Sequence, residues 1–599
     1  MKLRPLLFIL ASSVLSAQSF SYERSWATYY GGISSGIREV YEDSSMNLSV
    51  SGSSAYPGGS IIPSIDYYNQ FVSPGGNLFT AFTNPSINKL IGQFSPSGAL
   101  TFAEYHPQGN SYAEAIYPIL RDEQGNQYEI EFNINSFPAL SFGTWLSTHT
   151  LASDIILAKY DANGTLLWKT FLPSTGSVLL LKADSTGNVY FTGSTAQQNL
   201  GDPGTYHPGF ATVYDSTGTQ LLDNHYVVKL NPQGQKVWAT YIPTQAINDI
   251  EVSEGKLYIA GNADLDTNAS ELATPGTFQQ SKAGQSITCL NTLNGQRLWG
   301  TYYGVPGNSV EAGVINIRAN ATGVYMVGNT WAPGNYYATE NAYKTSTTDG
   351  FDFFLTKFND SGNRIWSTYL GSDGYEVAVG YKSSDIKDDK ILISGLSSGN
   401  HNMASPGAFV STKPSPGFND LFFSMFNASG EHIFTSYYGG SHTTTVVTQS
   451  ISPSFSENSD GFYLYGNTEN QNGFTTSNGN QQSIILPSGF NKGIAGFIAK
   501  FSPKTLSTSD TAPAEDLVVY NNPSNGNFTL KGSVLKREPH LVTLHDLSGK
   551  LIYSKHIRNN ATQQEHFNLE PVLTEGNYLL SVKKADETLI KTFKLTIRK

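Results

Sequence analysis

The sequence predicts an all-β protein: a β-propeller of about seven blades closed by its N- and C-terminal strands, followed by a small C-terminal Ig-like β-sandwich. Three observations predict it. Aromatics at 12% beside 57 Gly suit many short strands joined by tight turns, where a helical chain would favour Ala, Leu, Glu and Lys. A two-phrase motif returns along the chain, and the two ends of that array are complementary halves of one unit.

At 599 residues the chain is too long for one ordinary core. Charged residues at 14% exclude charge-driven disorder, and the mean hydropathy of -0.26 is too polar for a membrane protein. The net charge of -11 without a clustered basic face argues against nucleic acid as a partner. Cys289 is the single cysteine, so no intramolecular disulfide forms.

Residues 1–17 read as a signal peptide: Lys2 and Arg4, an apolar run from Leu6 to Leu15, then Ser16-Ala17 before Gln18. That run is about half the roughly 20 residues a membrane-spanning helix needs, and no later segment is apolar enough to be a transmembrane segment.

Residues 22–502 carry the repeat. Its first phrase is an apolar strand, a Gly turn and a strand ending in Trp-x-Thr-Tyr. The marker position holds Trp26, Phe102, Trp168, Trp238, Trp299, Trp366 and Phe434. The second phrase is Gly-x-x-Tyr, an apolar pair and Gly, as in Gly187 to Gly193 and Gly255 to Gly261. Trp26-Ala-Thr-Tyr-Tyr-Gly-Gly32 has no partner strand before it, and Gly496 to Phe501 has no Trp strand after it. Pairing the two closes a ring and leaves no raw edge, whereas an open solenoid would want polar capping repeats.

The Trp-x-Thr-Tyr-Tyr-Gly-Gly phrase, with Pro-Gly-Thr-Phe at 275–278 and Pro-Gly-Ala-Phe at 406–409, resembles the SBBP-type propeller repeat of exported bacterial proteins. That resemblance implies fold and location and no particular reaction.

Residues 503–513 form a polar Ser/Thr/Pro linker, and about seven short strand-like segments follow in residues 514–599. Asn522-Pro523-Ser-Asn-Gly526-Asn-Phe, then Asp546-Leu-Ser-Gly549-Lys550, then Glu575-Gly576-Asn-Tyr578, resemble the type A C-terminal sorting domain of the type IX secretion system. Asn521 stands where that family usually has Pro. The resemblance implies the type IX machinery as partner, removal of the tail near the linker, and release or attachment to surface lipopolysaccharide. Gly526 and Gly549 suit turn backbone angles, and Tyr578 suits a core position.

Chemical motifs are few, and no cofactor is expected. Gly32-Ile-Ser-Ser-Gly36 matches the letters of a nucleophile elbow without a following helix. Asp264-Leu-Asp-Thr-Asn-Ala-Ser-Glu271 alternates oxygen donors but lacks the Gly of a calcium loop. Cys289 occupies a repeat position held elsewhere by Lys159, Lys229, Lys357 and Lys500, with no His or Asp at a catalytic spacing.

Long insertions fall after the Gly-x-x-Tyr strand and carry Trp145, Trp331, Tyr206, Tyr336 and Tyr337, with Tyr67, Tyr68 and Phe142. Exposed there, such aromatics suit a glycan or protein ligand; alternatively they pack their own loops. Two functions follow. The chain is a non-enzymatic exported protein for adhesion or ligand binding, or it is a secreted polysaccharide hydrolase or lyase using acidic residues in the channel.

Overall fold

In a computed structural model, the structure describes residues 20–54, 65–74, 76, 88–107, 120–132, 143–147, 155–173, 180–211, 213, 219–221, 223–263, 269–308, 312–347, 351–442, 449–504, 517–536, 539–546, 550–558, 563–584 and 589–599. The expected signal peptide lies outside them. The chain divides into two compact units, Met1–Pro503 and Lys504–Lys599.

The first unit holds seven antiparallel sheets among its described residues, six of four strands and one of five. In chain order the first six draw their strands from residues 35–107, 120–171, 181–242, 246–303, 312–370 and 376–438. The seventh pairs Gln449–Phe455, Phe462–Thr468 and Ala495–Pro503 with the N-terminal strand Tyr22–Tyr30. Tyr29 stands opposite Phe497 and Trp26 opposite Lys500.

The register explains both sequence phrases. In four sheets the Tyr of the second phrase, a Lys and the Trp stand opposite one another across three strands: Tyr128–Lys159–Trp168, Tyr190–Lys229–Trp238, Tyr325–Lys357–Trp366 and Tyr463–Lys500–Trp26. The Lys ammonium lies 5.0–5.3 Å from the Tyr ring centre in each, so a buried cation meets a π face. The Gly closing the second phrase admits the sheet's first strand; a Cβ on Gly261 would sit 1.9 Å from the Ala246 carbonyl oxygen. The sheet assembled from both ends of the array thus repeats the internal ones.

The Trp then reaches the neighbouring sheet. Trp26, Trp168, Trp238, Trp299 and Trp366 lie over Gly98, Gly234, Gly295, Gly362 and Gly430, whose φ values of 68–87° already favour Gly. A Cβ there would fall 2.5–2.9 Å from an indole atom. Trp26, Trp168, Trp238 and Trp366 also donate their indole N–H to a carbonyl of the same turn, at 2.9–3.1 Å. Gly in the turn is the socket for the Trp of the sheet before it.

The Thr of the first phrase holds the long insertion. Thr28, Thr170, Thr240, Thr301 and Thr368 accept a bond from the backbone N–H of Gln481, Leu146, His207, Gln279 and Lys344, at 2.7–3.0 Å. The next residue of each strand returns a backbone bond to the same partner, as Tyr241 N–H does to His207 C=O at 3.0 Å. The insertion thereby covers part of the outer strand's edge. The first and second sheets meet through the Lys89–Glu129 ion pair and Arg121 over Tyr41. The sixth and seventh meet through Phe20, Phe409, Phe434 and Phe501.

The second unit has a three-stranded sheet (Val518–Tyr520, Asn527–Lys531, Gln564–Asn568) and a four-stranded sheet (Leu551–Ile557, His540–Asp546, Gly576–Lys584, Leu589–Ile597). Phe528, Leu530, Leu544, Phe567, Leu580 and Leu595 form a core drawn from both.

Candidate functional site

A cavity of about 660 Å³ is lined by residues from the first-strand region of all seven sheets, among them Glu39, Arg121, Lys182, Asp249, Arg318, Lys382, Asp385 and Glu457. Most charges on its wall are already committed. Arg318 pairs with Asp249 at 3.0 Å, and Lys182 with Glu251 at 2.7 Å. Burial works to raise the Glu42 carboxyl, but bonds from Ser456, Tyr463 and Asn458 and the nearby Lys500 ammonium hold it below its ordinary value.

Glu39 differs. A bulge in the first strand places Glu39, Asp249 and Asn316 at equivalent positions in the first, fourth and fifth sheets. Asp249 accepts from Asn316, Ile317 N–H and Arg318, and Asn316 accepts from Ser383. No hydrogen bond or ion pair among the described residues reaches the Glu39 carboxylate. Burial pushes its carboxyl up to about 7 against the opposing pull of Lys382 and Lys182.

The aromatic candidates separate into three fates. Trp145 and Tyr206 belong to a third repeat, a Gly-x-aromatic turn that includes Phe278, Tyr343 and Phe409. The residue two before each has positive φ: Gly143, Gly204, Gly276, Asn341 and Gly407, at 64–88°. Each aromatic meets a cation or His from the neighbouring sheet: Lys236, Arg297, Arg364, His432 and Arg24 in turn, at 4.0–6.0 Å from the ring centre. Trp145 and Tyr206 are half-buried members of a structural seam, and that seam ends on Arg24 of the N-terminal strand.

Tyr337 is not on the surface. It is 1% exposed and stacks on Phe354 at 4.7 Å, because its loop folds back over the core of the fifth sheet. Tyr336 is half-buried and donates to Gln279 Oε1 at 2.6 Å. Tyr67 and Tyr68 are buried, and Phe142 lies outside the described residues.

Trp331 alone of these is well exposed, at 42%. Its ring lies 5.3 Å from Phe351, and Phe351 lies 5.3 Å from Tyr375, itself 54% exposed. Sequence reading missed Phe351 and Tyr375, which sit forty-four residues from Trp331 at most and meet only through strand pairing. Thr330 stands opposite Asp352, and Glu376 N–H bonds to Phe351 C=O at 2.7 Å. Thr330, Asp352 and Glu376 are fully buried, and their chain neighbours Trp331, Phe351 and Tyr375 reach the surface to differing degrees.

The mount beneath this cluster is polar and tight. Lys344 pairs with Asp352 at 2.8 Å, Asn329 donates to Glu376 C=O at 2.7 Å, and the Glu376 carboxylate accepts from Ser372 and Ser397 at 2.7 Å each. A Cβ on Gly371 would lie 1.8 Å from Asp352 Oδ1 and 2.7 Å from Glu376 Oε2, so Gly lets the two carboxyls share one corner. Burial raises the Glu376 carboxyl, and Asp352 adds to the rise.

Nothing in the repeat demands aromatics here. The positions of Trp331 and Phe351 hold Ala196 and Asp223 in the third sheet, Ala263 and Gly284 in the fourth, and Glu469 and Ile494 in the seventh.

The other motifs resolve plainly. Ser34 has φ 60°, yet the strand Ser35–Glu42 follows it, so Gly32 to Gly36 is a strand-to-strand turn and not an elbow. Cys289 is fully buried, and burial pushes its thiol up to about 12, which leaves no thiolate to react. Most of the Asp264 to Glu271 loop lies outside the described residues; no group of three or more His, Cys, Asp or Glu suited to a metal occurs among the described ones.

In the second unit, Pro523 is exposed beside Ser524, which exchanges backbone bonds with Thr596 and Arg598 on the last strand at 2.8–2.9 Å. A Cβ on Gly526 would meet Glu570 Cα at 2.6 Å, and its φ is 111°. Asp546 Oδ1 accepts from Lys550 N–H at 3.0 Å, closing the hairpin whose tip, with Gly549, lies outside the described residues. Gly576 opens the strand in which Tyr578, 7% exposed, donates to Thr574 C=O at 3.0 Å.

Residues 518–597 match the family described as secretion system C-terminal sorting domain. No curated protein matches the sequence. Among solved structures, lignostilbene dioxygenase of Pseudomonas brassicacearum aligns over 81% of this chain and 96% of its own, at 9% identity and TM-score 0.35. PorZ of Porphyromonas gingivalis, titled an essential bacterial surface component of the type-IX secretion system, aligns over 86% of this chain and 64% of its own, at 10% identity and TM-score 0.21. Likenesses at such TM-scores carry no argument for this chain. No helix among the described residues is long and apolar enough to cross a membrane. The C-terminal unit is a secretion-system sorting domain, and the protein that carries it is exported to the outer cell surface or beyond.

Proposed function

We propose that the seven sheets are the blades of one closed β-propeller, and that the exported protein is a non-enzymatic binder of a glycan or protein ligand. Three observations support closure: Trp in Gly sockets at five of the seven seams, a cation or His on the Gly-x-aromatic turns at five, and a cavity touched by all seven sheets. Complementary ends that would otherwise expose sheet edges favour the same arrangement.

The observation that carries the binding function is the Trp331–Phe351–Tyr375 cluster, surface aromatics that the repeat does not require, mounted over the Lys344–Asp352 ion pair and the hydrogen-bonded Glu376 carboxylate. Clustered, partly exposed aromatics on a fixed base are a usual form of a recognition surface. A screen of the exported protein against glycans and peptides, with Trp331→Ala in parallel, tests it. Binding that persists in Trp331→Ala refutes the assignment.

A second reading, a polysaccharide hydrolase or lyase, is favoured by Glu39 alone: an uncommitted carboxyl facing a cavity with its proton affinity raised to about 7. Product analysis of the same incubations decides between them, since turnover abolished by Glu39→Gln supports the enzyme.

In this reading residues 1–17 direct export across the inner membrane, and the type IX machinery takes up residues 514–599. The tail is removed within 503–513, and the propeller is then released or held on surface lipopolysaccharide. Deleting 514–599 stops export; normal levels in the medium would refute the assignment.

A further inference from the structure

The ligand-binding reading leaves the ligand class open, and the surroundings of the aromatic cluster narrow it. We infer that Trp331, Phe351 and Tyr375 form a stacking platform for a linear, uncharged saccharide chain about three rings long. This rests on the cluster being the binding site.

Three features point there. The first is spacing. Phe351 lies between the other two rings at 5.3 Å from each, a step comparable to that between successive rings along an extended pyranose chain. The rings are inclined at 45° and 58°, so the surface is twisted and suits a single chain better than a flat crystalline face.

The second is the state of the backbone. A peptide adding as a strand needs free N–H and C=O groups. Here Tyr375 N–H donates to Ser398 Oγ at 2.8 Å, Ser398 N–H to Tyr375 C=O at 2.9 Å, and Glu376 N–H to Phe351 C=O. Those groups are spent, and ring faces are what remains. A sugar ring offers the matching surface, an apolar face edged with hydroxyls, and amphipathic aromatics accept such a partner.

The third is the polar rim. Asp373, two residues before Tyr375, accepts from the backbone N–H of Asn400 and His401 and meets His401 Nδ1 at 2.7 Å. The backbone N–H of His401 is the first cause holding the Asp373 carboxyl below its ordinary value. His401 is 80% exposed at its side chain, so the segment that carries Tyr375 also presents, through the Asp373 carboxylate, a paired imidazole that can bond hydroxyls. A fixed carboxylate on a protein of net charge -11 disfavours an acidic polysaccharide.

The test is a calorimetric titration of the full-length chain, sorting domain included, with β-1,4-glucan, β-1,3-glucan and chitin oligomers of one to six units. Affinity is expected to rise with length to about three units and then level. Trp331→Ala and Tyr375→Ala each weaken binding about tenfold, the factor that ~1.4 kcal/mol represents. Trp331→Phe retains most of it, and Tyr520→Ala, an exposed tyrosine of the sorting domain, changes nothing. Unchanged circular dichroism and melting temperature show that the variants fold. No titration by any oligomer, or titration indifferent to both alanine variants, overturns the saccharide platform. Should a peptide library instead bind and lose binding with Trp331→Ala, the saccharide class falls while ligand binding at this cluster stands. If neither class binds, both fall.

Discussion

Two sets of aromatic side chains sit in or beside the long insertions of the first unit, and they are used in opposite ways. Trp145, Tyr206, Phe278, Tyr343 and Phe409 recur at one structural position, each facing a cation or His from the next sheet. Trp331, Phe351 and Tyr375 occur once, touch one another, and leave ring surface in water. Residue type is the same in both. What separates them is recurrence: a group repeated from seam to seam serves the seam, and one that departs from the repeat is free for another task.

The sharpest way to break that comparison is to truncate one aromatic of each kind used by the fold and by the surface. Trp26 is 1% exposed and fills the Gly98 socket, so Trp26→Ala costs about 3–5 kcal/mol in chemical denaturation. Trp331→Ala stays within about 0.5 kcal/mol of the parent. Comparable losses would mean that Trp331 is a seam residue too.

A second contrast uses two glycines of similar backbone. Gly362 and Gly407 have φ of 75° and 74°, but a Cβ on Gly362 meets Trp299 at 2.6 Å and one on Gly407 meets nothing within 4 Å. Gly407→Ala loses about 1–2 kcal/mol from backbone strain alone. Gly362→Ala adds a further 1–3 kcal/mol from overpacking, read by urea midpoints. Equal losses would refute the socket.

Glu39 offers a pH-dependent test. Its folded carboxyl titrates near 7 and its unfolded one near the ordinary 4.5, so the native state binds the proton more tightly. Stability from this group is present below about pH 4.5 and is lost as pH rises through 7. Glu39→Gln therefore gains roughly 1–3 kcal/mol over the parent on going from pH 5 to pH 8, after allowance for partial exposure. A pH-independent difference would place a partner on Glu39.

The smallest expected effect is at the seam itself. Arg364→Ala removes the guanidinium 4.4 Å from the Phe278 ring and costs about 0.5–1 kcal/mol. Arg24→Ala, at the seam that joins the N-terminal strand to Phe409, matches it if that seam is equivalent to the internal ones.

Much of the architecture was legible. Trp-x-Thr-Tyr stands out because each letter has one job: Trp fills a neighbour's socket, Thr holds the insertion, and Tyr is buried. The pairing of the Trp26 strand with Gly496 to Phe501 follows from two unmatched halves. The Gly-x-aromatic turn was legible in principle, through Gly143-Thr-Trp, Gly204-Thr-Tyr and Gly276-Thr-Phe, but its aromatic varies and Asn341 replaces Gly once. For that reason Trp145 and Tyr206 looked like free aromatics. Tyr337 misled because a loop position says nothing of whether the loop folds back on the core.

The sequence by itself determined the strand phrases, the turn glycines and the sorting domain, because these depend on neighbours in the chain or on motifs read in order. Only the tertiary structure decided which aromatics are exposed and which carboxyls are satisfied. Glu39 and Asp249 are both carboxylates at the same bulge, and they differ because Arg318 and Asn316 arrive from the next sheet for one and no such partner occurs among the described residues for the other. Solvation and pairing of a charge are set by groups far along the chain, and local pattern does not encode them.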